Sequence, residues 1–588
     1  MFRRIAYSVP LSLLPVTCLS ATRLSATWII AFTALSIGFL QSEPVRAESS
    51  AHRASVYGSF LAGRHAVVLK DMKSATEFML RVIEDNPNNA KLVRKSFLLA
   101  VGAGEMDTAL DLARRIEAAD GAMPTAKLFL AIESARLGDL QDSLRRFSDL
   151  PRKGLIVYSG PLATAWIQAG LGDFDAALAA LAPLDEKSGF LTLHHLHAGL
   201  IQDLAGRTKA AEESFRKSAP DTKKAPVRLL RALGSLMERD GRVDAARLLY
   251  EDFLSTNTSN LVIRHELARL NAGTPAPHLV GNAAEGIAES LFHIASVLPR
   301  RRAGDIALVY SRMARYMRPD FAVNTLLLGE ILESREQFAS SNETYELIDA
   351  TSPYRWTARL RIADNLDALG HKKESIDLLQ AMASESPERI DALFKLASAL
   401  RLEERYEEAL VAYDKAYDRI KTVQTRHWLF FYNRGIALER SKQWDRAEAD
   451  FLKALELFPE QPYVLNYLGY SWVERGKNLE RAQKMIERAV AQRRNDGYIV
   501  DSLGWVLYQI GKYEKAVKQL ERAVRLRPHD PVINDHLGDA YWRAGRKLEA
   551  KFQWRRSLSL EPEAENQRKT QVKLENGPGA VKPVGSGG

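Results

Sequence analysis

The sequence predicts an all-α fold, a solenoid of about 14 stacked helical hairpins. Three observations predict it. The chain has 588 residues, too many for one compact hydrophobic core, so it is either split into domains or built from a stacked array. Gly435, Gly469, Gly504 and Gly538 recur at spacings of 34, 35 and 34 residues inside one hydrophobic pattern. No stretch alternates apolar and polar residues for long enough to make a useful strand.

The repeat is read by placing each of these glycines at position 8 of a unit. Leu468, Leu503 and Leu537 then stand at position 7, and Leu438, Trp472, Leu507 and Tyr541 at position 11. Ala447, Ala482, Ala516 and Ala550 occupy position 20, and Phe451, Ile486, Leu520 and Trp554 position 24, with Ala482 and Ile486 one residue late. Small residues at 8 and 20 let two antiparallel helices, A and B, approach closely, and bulky residues at 7, 11 and 24 fill the space around the contact. Pro459, Pro528 and Pro562 near position 32 cannot continue helix B and begin the link to the next unit. The one 35-residue interval is assigned to an extra residue in the turn Gly476-Lys477-Asn478-Leu479.

Five consecutive units from Ile390 to Pro562 obey this pattern, which resembles the tetratricopeptide repeat. Three stretches narrow the resemblance: Leu465–Tyr470, Asp496–Trp505 and Asp530–Trp542. They are similar to the long exported tetratricopeptide proteins of Gram-negative bacteria. That group includes periplasmic adaptor lipoproteins that bind a carboxy-terminal processing protease and present cell-wall hydrolases to it. The resemblance implies a non-catalytic periplasmic scaffold that recruits a processing protease, its substrates, or both.

Upstream the register is fainter. Residues 48–270 read as degenerate repeats, from Gly63, Ala75 and Pro87 to Gly234, Ala246 and Tyr250. Residues 271–284 hold two prolines and two glycines, which forbid a helix, and are read as a loop joint between two halves of the solenoid. Residues 285–389 read as further degenerate repeats, residues 390–564 as the regular C-terminal ones, and the polar, glycine-rich 565–588 as a disordered tail.

The N-terminus reads as an export signal. Arg3, Arg4 and Arg23 precede an apolar run from Leu24 to Leu40, followed by Val45-Arg46-Ala47, with cleavage expected after Ala47. Residues 1–47 are therefore the expected signal peptide and the periplasm the expected location. The rival reading is a retained membrane anchor, so membrane association stays open. Cys18, the only cysteine, follows a poor lipidation motif and excludes a disulfide framework.

Binding is expected on helix A. At about 100° per residue, positions 2, 5, 6, 9, 12 and 13 share a face about 120° from the core, read as the wall of a groove. In the last four units that face carries Tyr432, Asn433, Tyr463, Asn466, Tyr467, Tyr470, Tyr498, Asp501, Trp505, Tyr508, Asp535, His536, Asp539 and Trp542. Eight of these are aromatic, against 8% of the whole chain, and Tyr and Trp are the residues that dominate interface energetics. The expected ligand is another protein or a peptide. The alternative is an envelope assembly factor that binds polysaccharide or peptidoglycan, because rings stack on sugars as well. Substituting Tyr467 and Trp505 together is expected to weaken capture while leaving the fold intact.

Other chemistry is not expected. The formal charge of +9 comes without an Arg/Lys-rich run that would track phosphates, so nucleic acid is not expected as a partner. His194, His195 and His197 form the one dense histidine group, lack a complementary carboxylate or cysteine at metal-site spacing, and are read as structural, with His195 at core position 4. Arg300-Arg301-Arg302 reads as a solvated turn. No phosphate-binding glycine loop or nucleophile elbow is present, so no cofactor, metal or catalytic residue is expected.

Overall fold

The computed structural model describes residues 48–119, 123–185 and 190–579. The expected signal peptide and the last residues of the tail lie outside them. The described residues contain helices and no strand, arranged as two compact units that divide between Ser375 and Ile376.

In the N-terminal unit, α1 (Glu48–Val68) pairs with α2 (Met72–Asp85) and α3 (Ala90–Ala103) with α4 (Met106–Ala118). α5 (Pro124–Arg136) and α6 (Leu140–Ser148), α7 (Ile156–Gly170) and α8 (Phe174–Ala180), α9 (Leu191–Leu204) and α10 (Thr208–Ser218), and α11 (Val227–Arg239) and α12 (Val243–Thr256) follow. α13 (Leu261–Asn271) is a single helix that packs on α12 and α11. Then come α14 (Ala283–Val297) with α15 (Arg300–Met317), α16 (Ala322–Ser334) with α17 (Phe338–Glu346), and α18 (Arg355–Ala368); α19 (Lys372–Glu385) is the helix in which the units divide.

The C-terminal unit contains α20 (Asp391–Leu402) and α21 (Tyr406–Asp418), α22 (Trp428–Arg440) and α23 (Trp444–Leu457), and α24 (Pro462–Glu474) and α25 (Leu479–Gln492). It ends with α26 (Gly497–Gln509) and α27 (Tyr513–Leu526), α28 (Pro531–Arg543) and α29 (Lys547–Ser559), and a single helix α30 (Ala564–Asn576). Among the described residues thirteen helix pairs lie within one unit or the other, interrupted by α13.

The packing inside a pair follows from the repeat chemistry. Ala447, Ala482, Ala516 and Ala550 are fully buried. A Cβ on Gly435 would stand 2.7 Å from the Phe451 ring, and one on Gly538 2.5 Å from the Trp554 ring, so each glycine is the floor beneath a position-24 ring. The extra residue of the third unit is absorbed where expected: Gly476 and Asn478 both take left-handed φ, 64° and 50°. Successive units are stapled by an arginine near the end of helix B that donates to a carbonyl of the preceding loop. Arg115 reaches Pro87 O at 3.1 Å and Arg419 reaches Arg389 O at 2.9 Å. Arg488 reaches Pro459 O at 3.4 Å, and Arg522 donates to Arg494 O.

The N-terminal unit departs from an open solenoid. Hairpin α14/α15 packs onto α3, α5 and α7, the A helices of the arm. Gly286 lies directly under the Trp166 ring. Tyr316 donates to Glu133 Oε2 at 3.0 Å and lies beneath the Arg136 guanidinium at 4.6 Å. Lys70 pairs with Glu336, and Gln337 Nε2 donates to Lys70 O at 2.7 Å, so the α16–α17 turn meets the α1–α2 turn. The arm thus closes around a hairpin of its own chain. The segment expected as a joint is non-helical from Thr274 to Gly281 and packs back on the arm. Ala276, Leu279 and Val280 are buried, and Ser235 and Arg239 both donate to Pro277 O. Two further expectations change. Arg300-Arg301-Arg302 opens helix α15 rather than forming a turn, and residues 564–576, read as disordered tail from 565, form α30.

Replacing Gly435 by Ala should lower the urea-unfolding free energy by ~1–3 kcal/mol, because Phe451 cannot withdraw from a packed core. Replacing Gly58, a helical glycine with open space at its Cβ, should be neutral or slightly stabilising in the same measurement.

Candidate partner-binding surface

Within the C-terminal unit successive A helices pack against one another, α24 on α26 and α26 on α28, whereas successive B helices share much less contact. The A layer is therefore the inner, concave side and the B layer the outer one. That curvature decides the fate of the fourteen candidate residues.

Nine are buried, which corrects the expectation that they line an open groove: Tyr432, Asn433, Asn466, Tyr467, Tyr470, Asp501, Tyr508, His536 and Asp539. The physical reason is that the direction about 120° from the hairpin core points at the next helix A. Tyr432 meets Tyr467 edge-to-face at 6.0 Å, and Tyr467 lies 5.1 Å from Phe451. Burial holds the Tyr467 and Tyr470 hydroxyls well above the ordinary phenol range. Truncating Tyr467 would open a core cavity costing ~3–5 kcal/mol, so it cannot serve as a neutral probe of binding.

The seams between units are polar as well as aromatic. His536 Nδ1 lies 3.0 Å from Asp501 Oδ1, and its ring stacks on Trp505 at 4.1 Å. Burial alone would lower the imidazole pKa, but the Asp501 carboxylate outweighs it and raises the value. α30 continues the seam as one more helix A. Thr570 Oγ1 donates to Asp535 at 3.0 Å, and Lys573 Nζ reaches Asp535 at 2.6 Å and Asp539 at 2.7 Å. Burial, then the Asp535 charge, pushes Asp539 up to about 6. Trp554 Nε1 also donates to Asp539, at 3.0 Å. Asn466 is fully enclosed, and neither of its amide atoms has a hydrogen-bond partner among the described residues.

Five candidates remain half-exposed: Tyr463, Tyr498, Trp505, Asp535 and Trp542. Asp535 is committed to α30, and Trp542 packs against Trp554 at 5.4 Å. That leaves three rings. Tyr463 and Tyr498 sit one repeat apart at the starts of α24 and α26, beneath the guanidinia of Arg493 and Arg527 at 5.5 and 5.0 Å. Trp505 Nε1 donates to the exposed Glu474 at 2.6 Å. The sequence reading found the rings but missed Arg493, Arg527 and Glu474, which lie outside the positions it searched or did not stand out there. The recurrence of Arg493 and Arg527 at 34 residues was the available signal.

The histidine group behaves differently from its reading. His197, rather than His195, is the fully buried member. Trp166 Nε1 donates to His197 Nδ1 at 2.9 Å, which leaves the His197 Nε2–H to donate to His293 Nδ1 at 3.1 Å. His293 Nε2 lies 3.6 Å from Glu289, whose carboxylate is bidentate on Arg228. Burial, and secondarily His293, drives His197 well below the ordinary imidazole value, and burial also lowers His293 despite Glu289. Burial would raise Glu289, but Arg228 overcomes it and brings the carboxyl to about 2. The row is therefore two neutral imidazoles and one ion pair. Among the described residues no group of three or more His, Cys, Asp or Glu side chains is placed to hold a metal ion.

Three stretches match family models described as tetratricopeptide or TPR repeats: residues 360–422, 428–461 and 504–545. The chain carries tetratricopeptide repeats. A TPR repeat-containing protein of Pseudomonas aeruginosa is 26% identical over 186 residues. The match spans 32% of this chain and only 31% of that protein, well under half of the relative. Among solved structures, the APC/C hetero-tetramer Cut9–Hcn1 is similar over 88% of this chain and 96% of that one, at 13% identity and TM-score 0.38. YrrB, described as a TPR protein with an unusual peptide-binding site, is 20% identical over 33% of this chain and 97% of its own, with TM-score 0.27. Repeats of this kind indicate a protein-binding scaffold.

The two buried histidine settings have opposite linkage. His197 and His293 have native pKa values below that of the unfolded chain, near 6.5, so their contribution is present above that pH and is lost as pH falls toward the native values. His536 has a raised native pKa, so its contribution is complete below about 6.5 and is lost as pH rises through the native value. Urea unfolding at pH 7.5 and 5.5 should show the N-terminal unit losing roughly 1–3 kcal/mol on acidification while the C-terminal unit does not. The His197→Gln/His293→Gln variant should lose much less.

Proposed function

We propose that the chain is an exported, non-catalytic periplasmic adaptor. In this reading the rim of the C-terminal inner face, built from Tyr463, Tyr498, Trp505 and Glu474, holds a segment of a partner protein. The array brings a processing protease together with its cell-wall hydrolase substrates.

The observation that carries the reading is the set of three half-exposed rings on α24 and α26. They stand where the packing has consumed their neighbours and are held rigid by Arg493, Arg527 and Glu474. A rigid ring loses little conformational freedom on binding, and interface hot spots are enriched in Tyr and Trp for that reason. Export is supported by the charged and apolar pattern of residues 1–47 and the Val45-Arg46-Ala47 site. Among the described residues no helix is long and apolar enough to cross a membrane, and the apolar run Leu24–Leu40 lies outside them.

The test uses the full chain as bait in an envelope extract, beside the Tyr463→Ala/Tyr498→Ala/Trp505→Ala variant with its melting curve recorded. Loss of a protease or hydrolase from the variant eluate, by about ten-fold or more in mass-spectrometric signal, supports the reading. Equal recovery on both baits, or retention only on purified sacculi, overturns it. Fractionation with N-terminal sequencing should place the mature chain in the periplasm, starting at Glu48.

A further inference from the structure

The outer face of the last three hairpins is unlike the rest of the C-terminal unit. Its B helices are strongly basic: α25 carries three Lys/Arg against two carboxylates, α27 four against two, and α29 four against one. The preceding B helices have the opposite balance, one against four in α21 and two against four in α23. The A helices of the last three hairpins carry one basic residue, Arg543, against four carboxylates. Charge is thus segregated between the layers, with the basic surplus outward.

Two apolar side chains stand in the middle of that surplus. Positions 18 and 22 face solvent on the B helices of the five regular units. In the third and fourth regular units they are Glu480 and Lys484, then Glu514 and Lys518, all exposed. In the last unit they are Leu548 and Phe552, with relative exposures of 83% and 65%. Residues four apart on a helix lie side by side, so the pair forms one protruding apolar ridge where the two preceding units carry an exposed Glu and Lys. Lys518, Arg525, Lys551 and Arg555 around it have no ion pair among the described residues.

We propose that this outer face docks on a lipid bilayer that carries anionic phospholipid. Leu548 and Phe552 enter the boundary between headgroups and acyl chains, and Lys518, Lys551 and Arg555 engage the phosphates. An apolar ridge bordered by cations is the pattern of an interfacial helix, and basic residues near an anionic leaflet each add to the attraction. The curvature of the unit favours this occupant over a peptide. The B layer of these hairpins is the convex one, and a bilayer yields to protruding side chains. Charge argues against a second copy meeting the same face, because two surpluses of one sign would oppose each other.

The full-length protein is mixed with phosphatidylcholine vesicles, with and without phosphatidylglycerol, and floated on a density gradient. Binding should require phosphatidylglycerol and weaken with added salt. Leu548→Glu/Phe552→Lys, which installs the residues of the preceding unit, should reduce partitioning by about ten-fold with an unchanged melting curve. Lys518→Glu/Lys551→Glu should do the same by charge alone. The proposal is overturned by absence of binding, by equal binding to phosphatidylcholine alone, or by binding that neither variant changes. None of these outcomes bears on the inner rim, because the altered residues lie on B helices.

Discussion

Each repeat is organised by a bare stretch of backbone at the crossing of its two helices. Gly435 and Gly538 lie so close to the Phe451 and Trp554 rings that a single added carbon would collide. With the ring lying flat on the backbone and a fully buried alanine at position 20, helix B settles against helix A at short range. That closeness fixes the tilt of the hairpin, and the tilt fixes how the next helix A arrives. The arginine staples from helix B to the preceding loop then hold the step from unit to unit. Curvature, seam chemistry and the exposure of every candidate residue are consequences of that first contact.

The hairpins could be read from sequence because the information for each lies within about one repeat: a small residue, its ring sixteen residues later, a turn glycine and a terminating proline. The inner face could not be read in the same way. A helical wheel for α24 places Tyr467 and Tyr470 on a surface distinct from the core, which is correct for an isolated hairpin. What covers them is decided by the arrival angle of α22 and α26, which no single unit encodes. Tyr463, Tyr498 and Trp505 escape because they sit at the rim. The tail was misread for a related reason. Its composition is polar throughout, yet Thr570 and Lys573 recur one repeat after Asp535 and Gly538 and pair with Asp535 and Asp539.

The N-terminal unit shows the other limit of local reading. Hairpin α14/α15 belongs to the array by sequence, but its partners are remote: Ser159 and Tyr310 are 151 residues apart, and Glu133 and Tyr316 are 183 apart. A repeat register carries no signal for a hairpin that leaves the stack and fills the arm. The filling also explains the buried histidines. The inner face of an arm is amphipathic, and closing it over a hairpin encloses polar groups that must satisfy one another. Trp166, His197 and His293 do so as neutral donors and acceptors, and Glu289 does so as an ion pair with Arg228, which avoids an unpaired buried charge.

A protein-binding scaffold that holds two things has to do so without one excluding the other, and a hairpin array with separated layers meets that requirement. In the N-terminal unit hairpin α14/α15 already occupies the inner side of α3, α5 and α7. In the last three hairpins of the C-terminal unit the two layers have opposite character. The A side is acidic and aromatic, with its accessible rings along a rim. The B side is basic, with an apolar ridge at its last helix. Because the helices of one hairpin are locked together through the glycine contact, the two surfaces keep a fixed separation of about one helix diameter, 8–10 Å between axes. A ligand of one sign on the outer face leaves the inner rim unobstructed, and the opposite charges keep each ligand from competing for the other's surface. Two-sidedness of this kind needs no additional domain, only a sequence that lets its A and B helices diverge in composition while the core positions between them stay the same.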